Sequence, residues 1–170
     1  MSRHIFFNIL SFVALVIFQI LVLNNIQLFG FVNPYLYILF ILLLPLETPK
    51  WLLLILAFIL GYTIDYFSHT IGLNIAASVF VAYLRPKLIN LIIPKLESGP
   101  DVKIGIKTFG FKSFLIYTSI LVLIHHLTLF YLEIFRLSDF LSTLKRAIFS
   151  SVFTILIIIV GQYFTYSKKK

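Results

Sequence analysis

The residues best suited to chemistry lie inside apolar runs of the chain. Asp65 follows Gly61 by four positions, His125 and His126 are adjacent, and Arg85 ends a later run. Ionisable groups inside a membrane are costly, so each predicts a hydrogen-bond partner or a role in moving protons or ions. For Asp65 the sequence leaves open capping of the next helix, proton or ligand handling, and contact with a partner.

The two histidines do not form a recognisable metal site. Adjacent helical residues point about 100° apart, so His125 and His126 do not favour binding one ion together. The chain has no zinc-protease helix motif, no phosphate-binding loop, no GxSxG elbow and no cysteine, and those motifs mark the common catalytic sites. We therefore predict no enzyme activity, cofactor or metal, and interpret His126 as a hydrogen-bonded membrane histidine rather than a ligand or relay.

The composition is that of a membrane protein. Of 170 residues, 61% are apolar and 12% are charged, whereas soluble chains carry roughly 25% charged residues. A soluble domain of this length could not bury so much apolar surface. The net charge of +8 comes mainly from residues that flank apolar runs, which favours contact with anionic phospholipid over nucleic acid. No cleavage site follows the first run, so we predict a retained span.

Six apolar runs predict an all-α integral membrane protein, a single domain with six transmembrane helices. The predicted spans are residues 5–23, 34–46, 51–67, 73–93, 113–132 and 144–164. Run 34–46 is short, because thirteen residues of α-helix cover about 20 Å of a membrane core of about 30 Å. It therefore lies inside the bundle or extends beyond these bounds. Asn33 is its predicted N-cap and Pro34 its first helical residue.

Positive charge predicts the orientation. With both termini in the cytoplasm, eleven of the fourteen Lys and Arg residues fall on the cytoplasmic side, as the positive-inside rule requires. The basic connection 94–112 is then a cytoplasmic loop, either solvated and touching lipid or a docking surface for a partner. Residues 87–96 either continue the fourth helix past Pro86 or lie flat at the interface.

Small and polar residues mark the faces on which helices pack. Gly61 permits close approach of a neighbouring helix, and Asn74, Ser78 and Arg85 share one stripe of the fourth span, which suits interhelical packing and hydrogen bonding. The sequence thus predicts a set of structural or partner-contact residues. They are Asn33, Pro34, Gly61, Asp65, Gly72, Asn74, Ser78, Arg85, Pro86 and His126.

The stretch from Asn33 to Arg85 resembles a known family. Its matching pieces, in order, are Asn33-Pro34, the turn Pro45-Leu46-Glu47-Thr48-Pro49 before Trp51, Gly61-x3-Asp65, Gly72 with Ala76-Ala77, and Arg85-Pro86. In this order and spacing they resemble the rod shape-determining protein MreD family, especially its Bacteroidetes-like members. The match covers about a third of the chain, and Asn74 departs from it where many such sequences have histidine.

The resemblance implies a non-enzymatic component of the cell-elongation machinery in the bacterial inner membrane. Such a protein binds the periplasmic MreC and works beside MreB, RodA and a penicillin-binding transpeptidase, maintaining cell shape and coordinating peptidoglycan synthesis. The implied helical fold is similar to the substrate-binding S component of energy-coupling-factor transporters, so the alternative is a small-molecule transport component. The first span lacks the alanine-xxx-alanine pair expected of such a component.

Overall fold

A computed structural model describes residues 2–26, 30–93, 102, 104–134 and 139–167. These residues form α-helices and short 3₁₀ turns, with no β-strand among them. The helices are α1 (Ser2–Leu21), α2 (Leu39–Leu43), α3 (Lys50–Ser68), α4 (Leu73–Ile92), α5 (Ile106–Ile134) and α6 (Phe140–Ser167), with 3₁₀ turns at Leu23–Asn25 and Leu36–Ile38.

The chain is an all-α protein of the multi-pass membrane type. Within the described residues, five helices are long and apolar enough to cross a membrane, namely α1, α3, α4, α5 and α6. The second predicted span, residues 34–46, is different. Its helical part is the 3₁₀ turn Leu36–Ile38 followed by the five-residue α2, and the N-cap of that turn is Tyr35 rather than Asn33.

We call residues 33–46 the core segment, because the long helices surround it. Tyr37, Ile38, Ile41 and Leu42 are fully buried. Around them, α3 packs on α4, α4 on α5 and α5 on α6, while α1 covers the segment and contacts α3. The segment is too short to cross the membrane as an α-helix. Irregular backbone is tolerated here because the surrounding helices enclose it.

The bundle has two ends, which we name after buried residues. α3 and α4 are joined by four residues, 69–72, so they run antiparallel. Asp65 lies beside this junction, and we call this end of the bundle the Asp65 end. Arg85 lies towards the opposite end, which we call the Arg85 end. The core segment begins near the last turn of α1, where Gln19 contacts Pro34, and ends where Leu46 meets Val102 ahead of α5.

Two helices, α5 and α6, begin earlier than predicted, whereas α4 agrees with the predicted span 73–93 and with its continuation past Pro86. α5 begins at Ile106, so the later part of the predicted loop 94–112 is helical, with a break at Gly110 (φ 72°, ψ 157°). α6 begins at Phe140 rather than 144. α4 passes through Pro86 and ends at Ile92. Residues 94–101 and 103, which hold most of the remaining predicted loop, lie outside the described residues.

α3 and α4 approach each other very closely at Gly61. A Cβ atom at this position would lie 2.5 Å from the Cα of Ile75 and 2.7 Å from the carbonyl oxygen of Asn74. Both neighbours are backbone atoms, which cannot rotate away as a side chain can. The absence of a side chain at Gly61 therefore sets the spacing of the two helices.

We predict that Gly61→Ala destabilises the bundle by about 2 kcal/mol or more, since overpacking of a core costs about 1–3 kcal/mol and here the backbones must separate. Thermal unfolding of the purified protein in detergent measures the loss. Gly161→Ala is the matched control, because a Cβ atom there meets nothing within 4 Å. Equal melting temperatures for the two variants would contradict this role of Gly61.

Candidate functional site

Gln19 of α1 holds the first residues of the core segment. Its side-chain oxygen accepts hydrogen bonds from the backbone N–H groups of Leu36 (2.7 Å) and Tyr37 (3.3 Å). Its amide nitrogen donates to the carbonyl of Pro34 (3.0 Å) and to the side-chain oxygen of Asn24 (2.9 Å). Gln19 is fully buried, so one side chain satisfies three backbone groups that no helix or water would satisfy here.

Hydroxyl groups of α6 complete this attachment. The backbone N–H of Asn33 donates to Ser150 Oγ (3.1 Å), and that of Tyr35 donates to Thr154 Oγ1 (3.2 Å). Ser150 and Thr154 are fully buried and four residues apart, so they lie on the same face of α6. Helices from both sides of the bundle therefore meet the irregular backbone of the core segment.

His126 is buried beside this contact. Its Nδ1 lies 2.9 Å from the carbonyl of Val122 one turn earlier, and because a carbonyl only accepts, Nδ1 carries a proton. Its Nε2 lies 3.2 Å from Thr154 Oγ1, and the same hydroxyl lies 2.8 Å from the carbonyl of Ser150. His126 thus contacts Thr154, whose hydroxyl accepts the hydrogen bond from the backbone of Tyr35.

Arg85 and Tyr117 hold the last residues of the core segment. Tyr117 Oη donates to the carbonyl of Leu42 (3.0 Å), and Arg85 Nε donates to Tyr117 Oη (3.2 Å). The Arg85 guanidinium also donates to the carbonyls of Leu44 and Pro45. Arg85 is only 1% exposed, and no described carboxylate forms an ion pair with it. Backbone carbonyl dipoles and a phenol therefore solvate this buried cation.

The Asp65 carboxylate ties α3 to the start of α4. Its Oδ1 accepts hydrogen bonds from the hydroxyl of Thr70, the backbone N–H of Asn74 (3.1 Å) and the side-chain amide of Asn74 (2.9 Å). Its Oδ2 accepts from the backbone N–H of Ile75 (2.9 Å). A carboxylate at the first turn of a helix satisfies free N–H groups and interacts favourably with the helix dipole.

A chain of hydrogen bonds connects Asp65 to the core segment. Because the Asn74 amide nitrogen faces Asp65, its oxygen faces Tyr37 and accepts the phenol proton (2.8 Å). Tyr37 Oη also lies 2.8 Å from His125 Nε2, and with its own proton given to Asn74 it must accept one from the histidine. His125 is then the Nε2-protonated tautomer, and its Nδ1 has no partner among the described residues.

The predicted residues thus divide into two groups. Asn33, Pro34, Asp65, Asn74 and Arg85 all belong to this set of contacts, and His126 supports it. The others serve the helices themselves: Gly61 is the close contact of α3 with α4, Gly72 is the left-handed N-cap of α4 (φ 76°), Ser78 is buried in α4, and Pro86 lies within α4.

Sequence reasoning missed the tyrosines of the site. Tyr37 and Tyr117 are fully buried and each links two elements, but a tyrosine in an apolar run looks like one more apolar residue. The available signal was the short run 34–46 itself. A buried segment that is not a full helix needs donors and acceptors from its neighbours, and polar residues within the other runs could supply them.

A polar cavity of about 370 Å³ opens at the Asp65 end. On one side Glu133 pairs with Arg146 (3.1 Å), whose guanidinium lies 4.2 Å from the centre of the Phe130 ring. In the amide orientation that satisfies both of its polar atoms, Asn33 accepts a hydrogen bond from Arg146 (3.0 Å). The cavity is also lined by Asn24 and other polar residues, namely Asn25, Ser68, Thr70 and Asn74.

The hydrogen bonds described above hold the core segment in place. The described residues contain no group of three or more His, Asp or Glu side chains that could bind a metal ion. Asp65 and Arg85 are both occupied by several internal hydrogen bonds.

No protein-family model, curated protein or solved structure matches the chain.

We predict that Gln19→Leu destabilises the protein by about 3 kcal/mol or more, since each buried polar group left without a partner costs about 1–3 kcal/mol. Chemical denaturation in detergent provides the measurement. Ser11→Ala in the same helix is the control, because among the described residues Ser11 bonds only the backbone of its own helix, at the carbonyl of Phe7. A Gln19→Leu variant as stable as the control would mean that these hydrogen bonds do not hold the core segment.

We predict that Asp65→Asn lowers stability by about 2 kcal/mol, the range for hydrogen bonds to a charged group, because the amide NH₂ would face a donor. Asp139→Asn, at an exposed residue before α6, is the matched control and should cost less than about 1 kcal/mol. Unfolding curves of both variants compare the two losses. An unchanged curve for Asp65→Asn would show that the buried charge is not needed.

Proposed function

We propose that the chain is a non-enzymatic membrane component of the bacterial cell-elongation complex, located in the inner membrane. In this role it binds MreC, works beside MreB, RodA and a penicillin-binding transpeptidase, and helps to maintain cell shape by coordinating peptidoglycan synthesis. The proposal starts from the motifs between Asn33 and Arg85. Two features of the bundle support it: the aromatic residues exposed on α3, and the buried polar groups that bond within the bundle.

The observation that carries the proposal is an aromatic face on α3. Phe58, Tyr62 and Tyr66 are 51%, 55% and 66% exposed, and they follow one another along the helix with ring centres 6.4 and 6.5 Å apart. The Tyr62 hydroxyl has no hydrogen-bond partner among the described residues. Such a group is costly in hydrocarbon, so this face suits contact with a partner helix better than contact with lipid alone.

The buried polar groups support the same proposal. Asp65, Asn74 and Arg85 lie in the stretch that resembles the family, and each is committed to contacts inside the bundle. Their hydrogen bonds stabilise the fold and leave no paired acid and base among them. A component that acts by presenting surfaces to other membrane proteins fits this distribution better than one that acts on a substrate.

We also propose that the chain crosses the membrane six times, with both termini in the cytoplasm and the Asp65 end outside. The core segment would be the second crossing. Its mixture of extended, 3₁₀ and α-helical residues could cover on the order of 30 Å, since extended and 3₁₀ residues rise further than α-helical ones. Its contacts support this, because it meets Gln19 near one end of the bundle and Val102 near the other.

A photo-cross-linking residue in place of Tyr62 tests the proposal in cells. We expect a covalent adduct with MreC, because aromatic side chains at an interface contribute much of its binding energy. The same residue in place of Leu156, 56% exposed on α6, is the control and should give no such adduct. Mild-detergent purification and mass spectrometry identify the products. If neither adducts nor co-purified protein include MreC or the transpeptidase, the proposed function is wrong.

The cavity at the Asp65 end favours a second candidate, a substrate-binding membrane component of a small-molecule transporter, similar to an energy-coupling-factor S component. A cavity of about 370 Å³ lined by amides, hydroxyls and an ion pair falls within the size range of small-molecule sites. The same purification distinguishes the two functions. An ATPase and a coupling subunit recovered with a bound small molecule would support transport and remove the elongation role.

A further inference from the structure

A small cavity at the Arg85 end lies between α3 and α4. It measures about 140 Å³, and the residues around it are of two kinds. The polar residues are Lys50, Lys87, Asn90 and Tyr83, and the apolar ones are Leu54, Ala82 and Pro86. Both lysines, the asparagine and the tyrosine are exposed on the outside of the bundle, so this cavity is separate from the buried core segment and from the cavity at the Asp65 end.

The charge at this cavity is positive and uncompensated within the described residues. Lys87 Nζ lies 3.2 Å from Tyr83 Oη and 4.6 Å from the centre of the same ring, and both contacts are with a neutral side chain. No described carboxylate pairs with Lys50 or Lys87, and none lines the cavity. Two lysines from different helices line the same cavity, and no acidic residue among the described ones lines it with them, which favours an anionic ligand.

The apolar residues of the cavity indicate which anion fits. Leu54 lies one turn into α3 from Lys50, and Ala82 lies about one turn before Lys87 in α4, so apolar surface continues from the lysines towards the middle of the bundle. Because Pro86 has no N–H group, the carbonyl of Ala82 lacks its helical donor. A phosphate, a hydroxyl that donates to this carbonyl, and an acyl chain below them would match these groups together.

We propose that this cavity is a specific site for the headgroup of an anionic phospholipid such as phosphatidylglycerol, with its phosphate between Lys50 and Lys87. The acyl chain would follow Leu54 along the outer face of α3 and α4. The depth of the site agrees with this ligand, since both lysines lie near the ends of membrane-length helices, where headgroups meet positive side chains. The proposal does not depend on the proposed role in cell elongation.

The chain provides its own reporter for this site. Its single tryptophan is Trp51, which follows Lys50 and is 65% exposed. Brominated lipids quench tryptophan fluorescence only on contact. The full-length protein in phosphatidylcholine vesicles is titrated with brominated phosphatidylglycerol and, separately, with brominated phosphatidylcholine. We expect phosphatidylglycerol to be preferred at Trp51 by roughly fivefold or more, from two lysine contacts with an anionic headgroup.

Three double variants distinguish a specific site from diffuse surface charge. Lys50→Gln with Lys87→Gln should reduce the preference to nearly one, while Lys50→Arg with Lys87→Arg should retain it. Lys107→Gln with Lys112→Gln removes the same charge from the exposed start of α5 and should leave the preference unchanged. Thermal unfolding of each variant, compared with wild type, checks that a lost preference does not come from a lost fold.

The remaining outcomes would overturn the proposal. An equal loss in both glutamine pairs would mean that diffuse surface charge attracts the lipid. An unchanged preference in the Lys50 and Lys87 pair would mean that these lysines bind no headgroup. If soluble glycerol 3-phosphate at millimolar concentration removes the preference, the ligand is a free phosphate ester rather than a lipid.

Discussion

The whole bundle depends on one constraint: backbone polar groups away from water must be hydrogen-bonded. A long helix meets this requirement by itself, but the core segment does not, since its helical turns cover only residues 36–43. Side chains from the surrounding helices supply the missing partners. Gln19 serves the beginning of the segment, and Arg85 with Tyr117 serves its end. Without them, an irregular segment would be unstable at the centre of this fold.

This constraint explains why so many polar residues occur in such an apolar chain. Gln19, Ser150 and Thr154 are fully buried and face the segment's backbone rather than solvent. Asp65 and Asn74 do the same for the free N–H groups that begin α4, and Tyr37 connects them to the segment. A polar residue inside a membrane often marks a transport pathway, but here each of these groups has a backbone or neighbouring side chain to satisfy.

The outer surface differs from the interior in the residues that it carries. Aromatic residues such as Tyr62 and Tyr66 cover the exposed side of α3, and lysines gather at the Arg85 end of α3 and α4. The first feature suits a partner helix and the second an anionic headgroup. Because the buried polar groups described above bond within the bundle, we expect contacts with other molecules at the surface and in the cavity at the Asp65 end. This division agrees with the role proposed above, a component that binds other proteins and lipids at its surface.

The sequence by itself determined the class of the protein, because apolar runs near twenty residues suit only a membrane-spanning helix. It also indicated Gly61 as a site of close helix packing and included capping of the next helix among the roles open to Asp65, since helical spacing places the two residues on one face. Only the tertiary structure decided how residues 34–46 are arranged. Their short length was compatible with a longer helix or a buried one, and the choice depends on partners distant in sequence, such as Gln19, Tyr117 and Thr154. No local pattern encodes which donors from α1, α5 and α6 meet one backbone, because that meeting exists only once the helices have packed.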